Sequence, residues 1–296
     1  MLDLIIDQRR RDLGGGLEVG RVLPYARRRM VGPFIFFDHM GPVTFPAGIP
    51  RALDVRPHPH IGLATVTYLF EGEIMHRDSL GSEVAIRPEE VNWMTAGRGI
   101  THSERFEKAR ALGGTAHGIQ SWVALPREHE EVEPSFAHHD AGDLPSFEEG
   151  SGRARLIAGE AFGMKSAVKT HSPMFYLHWV LPRGASARLP TEYPERAAYV
   201  VSGTVQAAGQ SVEPGQMAVF SPGVDVVLTA ATDAVVMLLG GEPLGERFIE
   251  WNFVASSKDR IEQAKSDWRA GRMKLPQHDD REFTPLPPDP PASAAR

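Results

Sequence analysis

The feature that most constrains the fold of this chain is an internal repeat. Ile86–Gly97 (IRPEEVNWMTAG) matches Val212–Gly223 (VEPGQMAVFSPG) at an offset of 126 residues, with Pro88 on Pro214 and Gly97 on Gly223. Upstream, Tyr68-Leu69-Phe70-Glu71-Gly72 matches Tyr199-Val200-Val201-Ser202-Gly203 at an offset of 131. The two matches keep their order, and the five-residue difference fits a shorter hairpin in the second copy. A chain of 296 residues can bury two modest cores. The repeat therefore implies two barrels built by duplication.

The repeated unit reads as all-β. The chain's 29 Gly and 24 Pro punctuate short β-branched and aromatic runs such as Ala64-Thr65-Val66-Thr67-Tyr68-Leu69-Phe70, the pattern of a barrel or sandwich. Glu71-Gly72-Glu73 and Ser202-Gly203-Thr204 read as tight turns. One helix is expected near the end: Ser256 or Ser257 caps it, Ile261, Ala264 and Trp268 share a face, and Gly271 stops it. The tail after Phe283 (TPLPPDPPASAAR) is Pro-rich and reads as extended or disordered. Residues 127–150, rich in Glu, His, Asp and Pro, read as a linker. The expected organisation is an N-terminal barrel over residues 1–130 and a C-terminal barrel over 131–296 that carries the helix and the tail.

Two short pairs carry the chemistry: His58-Pro59-His60 and His102-Ser103-Glu104. On a strand, residues i and i+2 point to one face, roughly 6–7 Å apart. A lone His-x-His among 12 histidines means little. The second pair, 42 residues further on and entered through Gly97-Arg98-Gly99-Ile100, alters that reading. The gap holds about four short strands, enough to go round a small barrel and return beside the first pair. Three imidazoles and one carboxylate then converge, a donor set for a divalent first-row metal that leaves positions open for chemistry. The repeat supplies a check. The matching positions in the second copy are Leu189, Thr191, Leu228 and Ala230, none of which offers an imidazole or carboxylate, so the second barrel is expected to be metal-free. Glu195 and His178 lie nearby but at no ligand position.

Composition narrows the function. The chain has no cysteine, which rules out disulfides and thiolate ligands and fits a cytoplasmic protein. A net charge of −6 argues against direct nucleic-acid binding, and the triplets Arg9–Arg11 and Arg27–Arg29 read as solvated loop charge. No apolar run is long enough for a membrane span, and MLDLIIDQRRRDLGGG lacks a secretory pattern. No nucleophile elbow, phosphate loop or dinucleotide fingerprint is present. Of the remaining polar residues, His39 reads as a structural hydrogen-bonding group. His76 and Asp78 fit either the pocket mouth or a solvated turn, and His138-His139-Asp140 fits an exposed segment. Trp93 and Met94 read as core, and His117 has no functional reading.

His-Pro-His-x-Gly, then Thr-Val-Thr-Tyr-Leu-x-Glu-Gly, then Gly-x-Gly-Ile-x-His-Ser-Glu resembles the pirins of the cupin superfamily. The resemblance runs from Phe34-Ile35-Phe36-Phe37-Asp38-His39 to Trp251-Asn252-Phe253-Val254. It implies two tandem cupin barrels of the double-stranded β-helix or jelly-roll type with a short C-terminal helix. It also implies one metal ion in the first barrel, held by His58, His60, His102 and Glu104. Fe(II) is the leading ion, and Ni, Mn, Co, Cu and Zn also suit such donors. The activity implied is that of a quercetin 2,3-dioxygenase: an oxidoreductase cleaving a small aromatic flavonol with O2 and releasing carbon monoxide, with Glu104 as candidate base. The resemblance also admits a non-enzymatic metal-binding regulator acting through protein partners, with a closed or saturated metal site. A cupin sugar-phosphate isomerase is disfavoured, because no phosphate-binding cluster stands out. One position departs from the family pattern. Many pirins carry Glu four residues after the second His, where this chain has Ala64, a change expected to alter hydrogen bonding around the ligands or pocket polarity rather than the ligand set.

Overall fold

A computed structural model describes residues 1–13 and 16–288 of the chain. Two barrels stand back to back, each formed by a large antiparallel sheet facing a four-stranded one. In the first, a seven-stranded sheet containing Phe34–Phe45, Leu63–Glu71, Val91–Thr95 and Gly114–Ala124 faces a four-stranded sheet of Val55–His60, Ile74–Asp78, Glu83–Ile86 and Ile100–Arg105. In the second, an eight-stranded sheet containing Met174–Leu181, Glu195–Ser202, Gln216–Phe220 and Ala234–Gly241 faces Ser186–Arg188, Val205–Ala207, Gln210–Val212 and Val227–Ala230.

The strand Leu63–Glu71 explains how the barrels join. Ala64, Val66 and Tyr68 leave one face and pack with Tyr176, Tyr199 and Met237 of the second barrel. Leu69, from the other face, packs with Ile74, Ile86 and Phe106 inside its own barrel. A strand covered on both sides is apolar almost throughout, so strict alternation is lost. The repeat is seen directly in the pairing: Tyr68 lies opposite Val91 as Tyr199 lies opposite Met217.

Two expectations need correction. Residues 127–150 are no plain linker: Ser135–His139 pairs with Val91–Thr95 in the first barrel, and Ser146–Glu149 pairs with Gly152–Ala161 in the second. Each satisfies the open backbone edge of a sheet. The first Arg triplet is likewise no loop, since Arg9–Asp12 is an edge strand paired with Glu18–Leu23. At the amino end, Leu2–Asp7 pairs with Gln216–Phe220 and so joins the second barrel's sheet.

The expected helix spans Lys258–Arg269, with Ser257 at its N-cap and Ile261, Ala264 and Trp268 buried. A second, six-residue helix, Glu107–Leu112, follows the strand of the second ligand pair. The start of the Pro-rich tail is extended but docked: Thr284 N–H donates to Pro57 O at 2.8 Å, and Leu286 packs near Trp268. The rest of that tail, from residue 289, lies outside the described residues. Among the described residues, no helix is long and apolar enough to cross a membrane.

Two buried histidines sit in the seam between the barrels. His39 Nδ1 lies 2.8 Å from Tyr199 Oη, and His178 Nδ1 lies 2.9 Å from Tyr68 Oη. Burial pushes both imidazoles down from 6.5 to about 4. Between these values the unfolded chain binds protons that the folded chain does not, so stability falls as pH drops from 6.5 toward 4. The expected loss is on the order of 2 kcal/mol per histidine between pH 7 and pH 5. Urea denaturation of the metal-free protein at the two pH values checks this. The slope of stability against pH should shrink in His178→Gln, and an unchanged slope would refute the assignment.

Candidate metal centre

Both ligand pairs lie on adjacent strands of the small sheet in the first barrel. Ile100–Arg105 runs antiparallel to Val55–His60, with His102 opposite His58 and Ile100 opposite His60. Two residues after the first pair the chain turns sharply. Gly62 has φ +66°, and a Cβ there would meet Val254 O at 2.0 Å, so only glycine fits the His-x-Gly step.

The structure brings His58, His60 and His102 together. Each offers a ring nitrogen, and these atoms all lie within 4.8 Å of one another. Burial pushes the His58 imidazole down to about 4, and it holds His60 and His102 well below 6.5, reinforced by the neighbouring imidazoles. All three are therefore neutral at pH 7 and carry a lone pair. His58 Nδ1–H donates to Arg56 O at 2.9 Å, and His60 Nδ1–H donates to Asn252 O at 2.9 Å. A carbonyl only accepts, so both tautomers are fixed with Nε2 bare. Among the described residues, His60 Nε2 and both ring nitrogens of His102 are buried without a hydrogen-bond partner. Buried polar atoms are rarely left unpaired. Orphaned lone pairs converging on one point fit a divalent cation, and the backbone carbonyls behind two of them are the usual orienting groups of metal-binding histidines.

Glu104 follows His102 by two residues on the same strand, but its carboxylate does not join the three imidazoles in that group. Its Oε1 accepts from Thr67 Oγ1 at 3.2 Å, and the same hydroxyl reaches Gln120 Oε1 at 2.8 Å. Burial pushes its carboxyl up, opposed by His76 and by the Thr67 hydrogen bond. Glu104 lines a cavity of about 810 Å³ together with His58, His60, Gln120, Phe36 and Trp122. Phe36 and Trp122 stack at 3.9 Å with an 11° tilt, and Trp122 sets its edge against the His60 ring at 5.0 Å. The cavity thus has a flat aromatic wall beside the histidines.

The second barrel shows what replaces the ligands. There Leu228 lies opposite Ala187, and Leu189 N–H bonds Val226 O at 3.1 Å. By register the counterpart of His102 is Val226, two residues before the position that the repeat offset gives, because the preceding turn is shorter. Leu189, Val226 and Leu228 all belong to that barrel's apolar core.

Other sequence candidates fall elsewhere. His76 and Asp78 are neither solvated nor at the mouth. Both are buried, hydrogen-bonded to each other at 3.0 Å, and Asp78 lies opposite His102. His138 pairs with Asp140 at 3.3 Å and with Asn92 Oδ1 at 2.7 Å on an edge strand. His117 contacts His39, Nε2 to Nε2, at 2.8 Å. Ala64 points into the inter-barrel core, away from the cavity-lining Thr67. A glutamate there would not enter the pocket, so the expected effect on pocket polarity has no basis in this geometry. Asn252 and Arg56 escaped the sequence reading because each acts through a backbone carbonyl, which no residue type reveals. Thr67 and Gln120 could have been found from strand alternation alone.

Paired double-sheet barrels, with histidines converging in one and an apolar core at the same place in the other, define a two-domain cupin. Residues 16–123 match the family model for Pirin, and residues 176–274 match that for the Pirin C-terminal cupin domain. A "Pirin-like protein" from Caulobacter vibrioides is 64% identical over 97% of this chain and 100% of its own length. "Pirin" from Rattus norvegicus is 34% identical over 90% of this chain and 91% of its own. A crystal structure titled as a quercetin 2,3-dioxygenase from Acinetobacter baumannii superposes with a TM-score of 0.89 at 34% identity, covering 97% of this chain and 95% of that one. The chain belongs to the pirin family.

Proposed function

We propose that this protein is a metal-dependent dioxygenase acting on polyhydroxylated aromatic substrates of the flavonol type, with one divalent ion, Fe(II) foremost, held by His58, His60, His102 and Glu104. The observation that carries the reading is the cluster of three neutral imidazoles, two of which, His58 and His60, line an aromatic-walled cavity. The similarity to a structure titled as a quercetin 2,3-dioxygenase supports the substrate class. A regulator with a closed site would not need a cavity of about 810 Å³ reaching His58 and His60.

The ion, when bound, supplies Lewis acidity toward a substrate hydroxyl and the one-electron chemistry that lets O2 react. The chain supplies the rest. The Phe36–Trp122 wall orients a planar ring system by stacking. Glu104 accepts the proton of the substrate hydroxyl, and Thr67 aims its carboxylate. Gln120, at the cavity surface, offers an amide to a second substrate oxygen.

Aerobic assay with quercetin, comparing iron- and nickel-loaded protein with free metal, tests this. Loss of flavonol absorbance above the free-metal rate is expected. Its absence with every loaded ion overturns the substrate assignment. Glu104→Gln should lower kcat by about 10²–10⁴, and undiminished turnover would remove Glu104 as the base.

A further inference from the structure

The two ligand strands do not pair regularly. His102 lies opposite His58, but Glu104 lies opposite Val55, so Arg56 and Pro57 together face Ser103. This is a β-bulge at the ligands themselves, and a bulge re-aims the side chains beside it. A bulge leaves backbone groups without ladder partners, and here a distant segment takes them up. Thr284 N–H donates to Pro57 O at 2.8 Å, and Thr284 Oγ1 donates to Arg56 O at 3.4 Å. Arg56 O is the same carbonyl that orients the His58 ring.

The same segment grips the opposite strand. Ser103 Oγ donates to Asp279 Oδ2 at 2.6 Å, and Arg105 donates to both Asp279 oxygens at 2.7 and 2.8 Å. Thr101 Oγ1 donates to Lys274 O. Thr101, Ser103 and Arg105 alternate along the strand with the ligand residues His102 and Glu104, so their contacts set the back of the ligand-bearing face. Trp268 Nε1–H donates to Thr284 O at 3.1 Å and ties the segment to the C-terminal helix. Glu282 and Thr284 also line the cavity.

We propose that residues 274–284 form a strap that locks the bulge between the ligand strands and so preorganises His58, His102 and Glu104, with Thr284 and Asp279 as positioning residues. The proposal rests on the metal reading above but not on the flavonol assignment. Without the strap, the bulge carbonyls turn to solvent, His58 loses its fixed orientation and the metal leaves faster.

The test uses full-length protein loaded with Co(II). It follows the visible ligand-field spectrum and the rate of metal transfer to a chelator, with thermal unfolding of the metal-free form as the control for folding. Thr284→Pro removes the N–H at a partly exposed position, whereas Thr284→Val keeps it. Thr284→Pro and Asp279→Asn should release Co(II) at least about tenfold faster and shift the spectrum, while Thr284→Val, which loses only the long Oγ1 contact to Arg56 O, should release it clearly more slowly than Thr284→Pro. Wild-type rates and spectra in Thr284→Pro and Asp279→Asn overturn the strap. Equal acceleration by Thr284→Val overturns the backbone pin. A wild-type chain that takes up no Co(II) removes the metal reading itself. One that binds Co(II) but leaves flavonols intact leaves the strap standing.

Discussion

His102→Ala should leave the protein without stoichiometric metal. His102 comes from a different strand than His58 and His60, so its loss reduces the proposed set to two imidazoles from one strand and the Glu104 carboxylate from the other. Neither His102 ring nitrogen has a protein partner, so its contribution to the apo fold is packing alone and the variant should still fold. Metal content should fall from about one ion per chain to below about a tenth. The linked stabilisation should vanish as well. An ion at a thousand times its dissociation constant raises wild-type stability by about 4 kcal/mol, and the variant should gain none. Metal analysis after dialysis, with thermal unfolding with and without added Ni(II), gives the readout. A variant retaining full metal would overturn the ligand set.

Arg105→Ala should destabilise the first barrel by about 3–5 kcal/mol. Arg105 is almost wholly buried and pairs with Asp279 at 2.7 Å, Glu282 at 3.0 Å and Asp54 at 3.5 Å. Removing the guanidinium leaves Asp279 with the Ser103 hydroxyl and the more distant Arg77 charge, while Asp54 keeps Arg110 at 2.6 Å and the N–H of Phe106 at 3.0 Å. Burial opposes the Asp279 charge, and the hydrogen bonds from Arg105 and Ser103 bring its carboxyl below the usual range. The variant loses most of that compensation. Urea denaturation of the metal-free protein measures the loss, and a change under about 1 kcal/mol, the level of an exposed pair, would show that the network stabilises little. A partial rescue by Asp279→Asn in the Arg105→Ala background would identify the stranded carboxylate as the cause.

The legible part of this fold follows from periodicity. Duplicated strand patterns, the turn glycines and the stripe of Ile261, Ala264 and Trp268 are local signals, and the structure keeps each of them. The unreadable part is pairing at edges. Ser135–His139 reads as part of the polar 127–150 linker because an edge strand need bury only one side, and its weak alternation gives little signal. The same limit hid the tail. Its prolines exclude regular ladders, yet backbone contacts of Thr284 dock its start.

At the site, sequence by itself determined which side chains could bind a metal. Two i, i+2 pairs and their loss from the second copy are properties of residue type and spacing, which the pleat of a strand converts directly into a shared face. Tertiary structure decided the rest. It placed His102 across from His58, fixed His58 and His60 through the carbonyls of Arg56 and Asn252, turned Ala64 out of the pocket, and drew Thr284 onto the bulge. These depend on register and on backbone groups, and every residue carries the same backbone groups. Only the folded chain selects which of them meet.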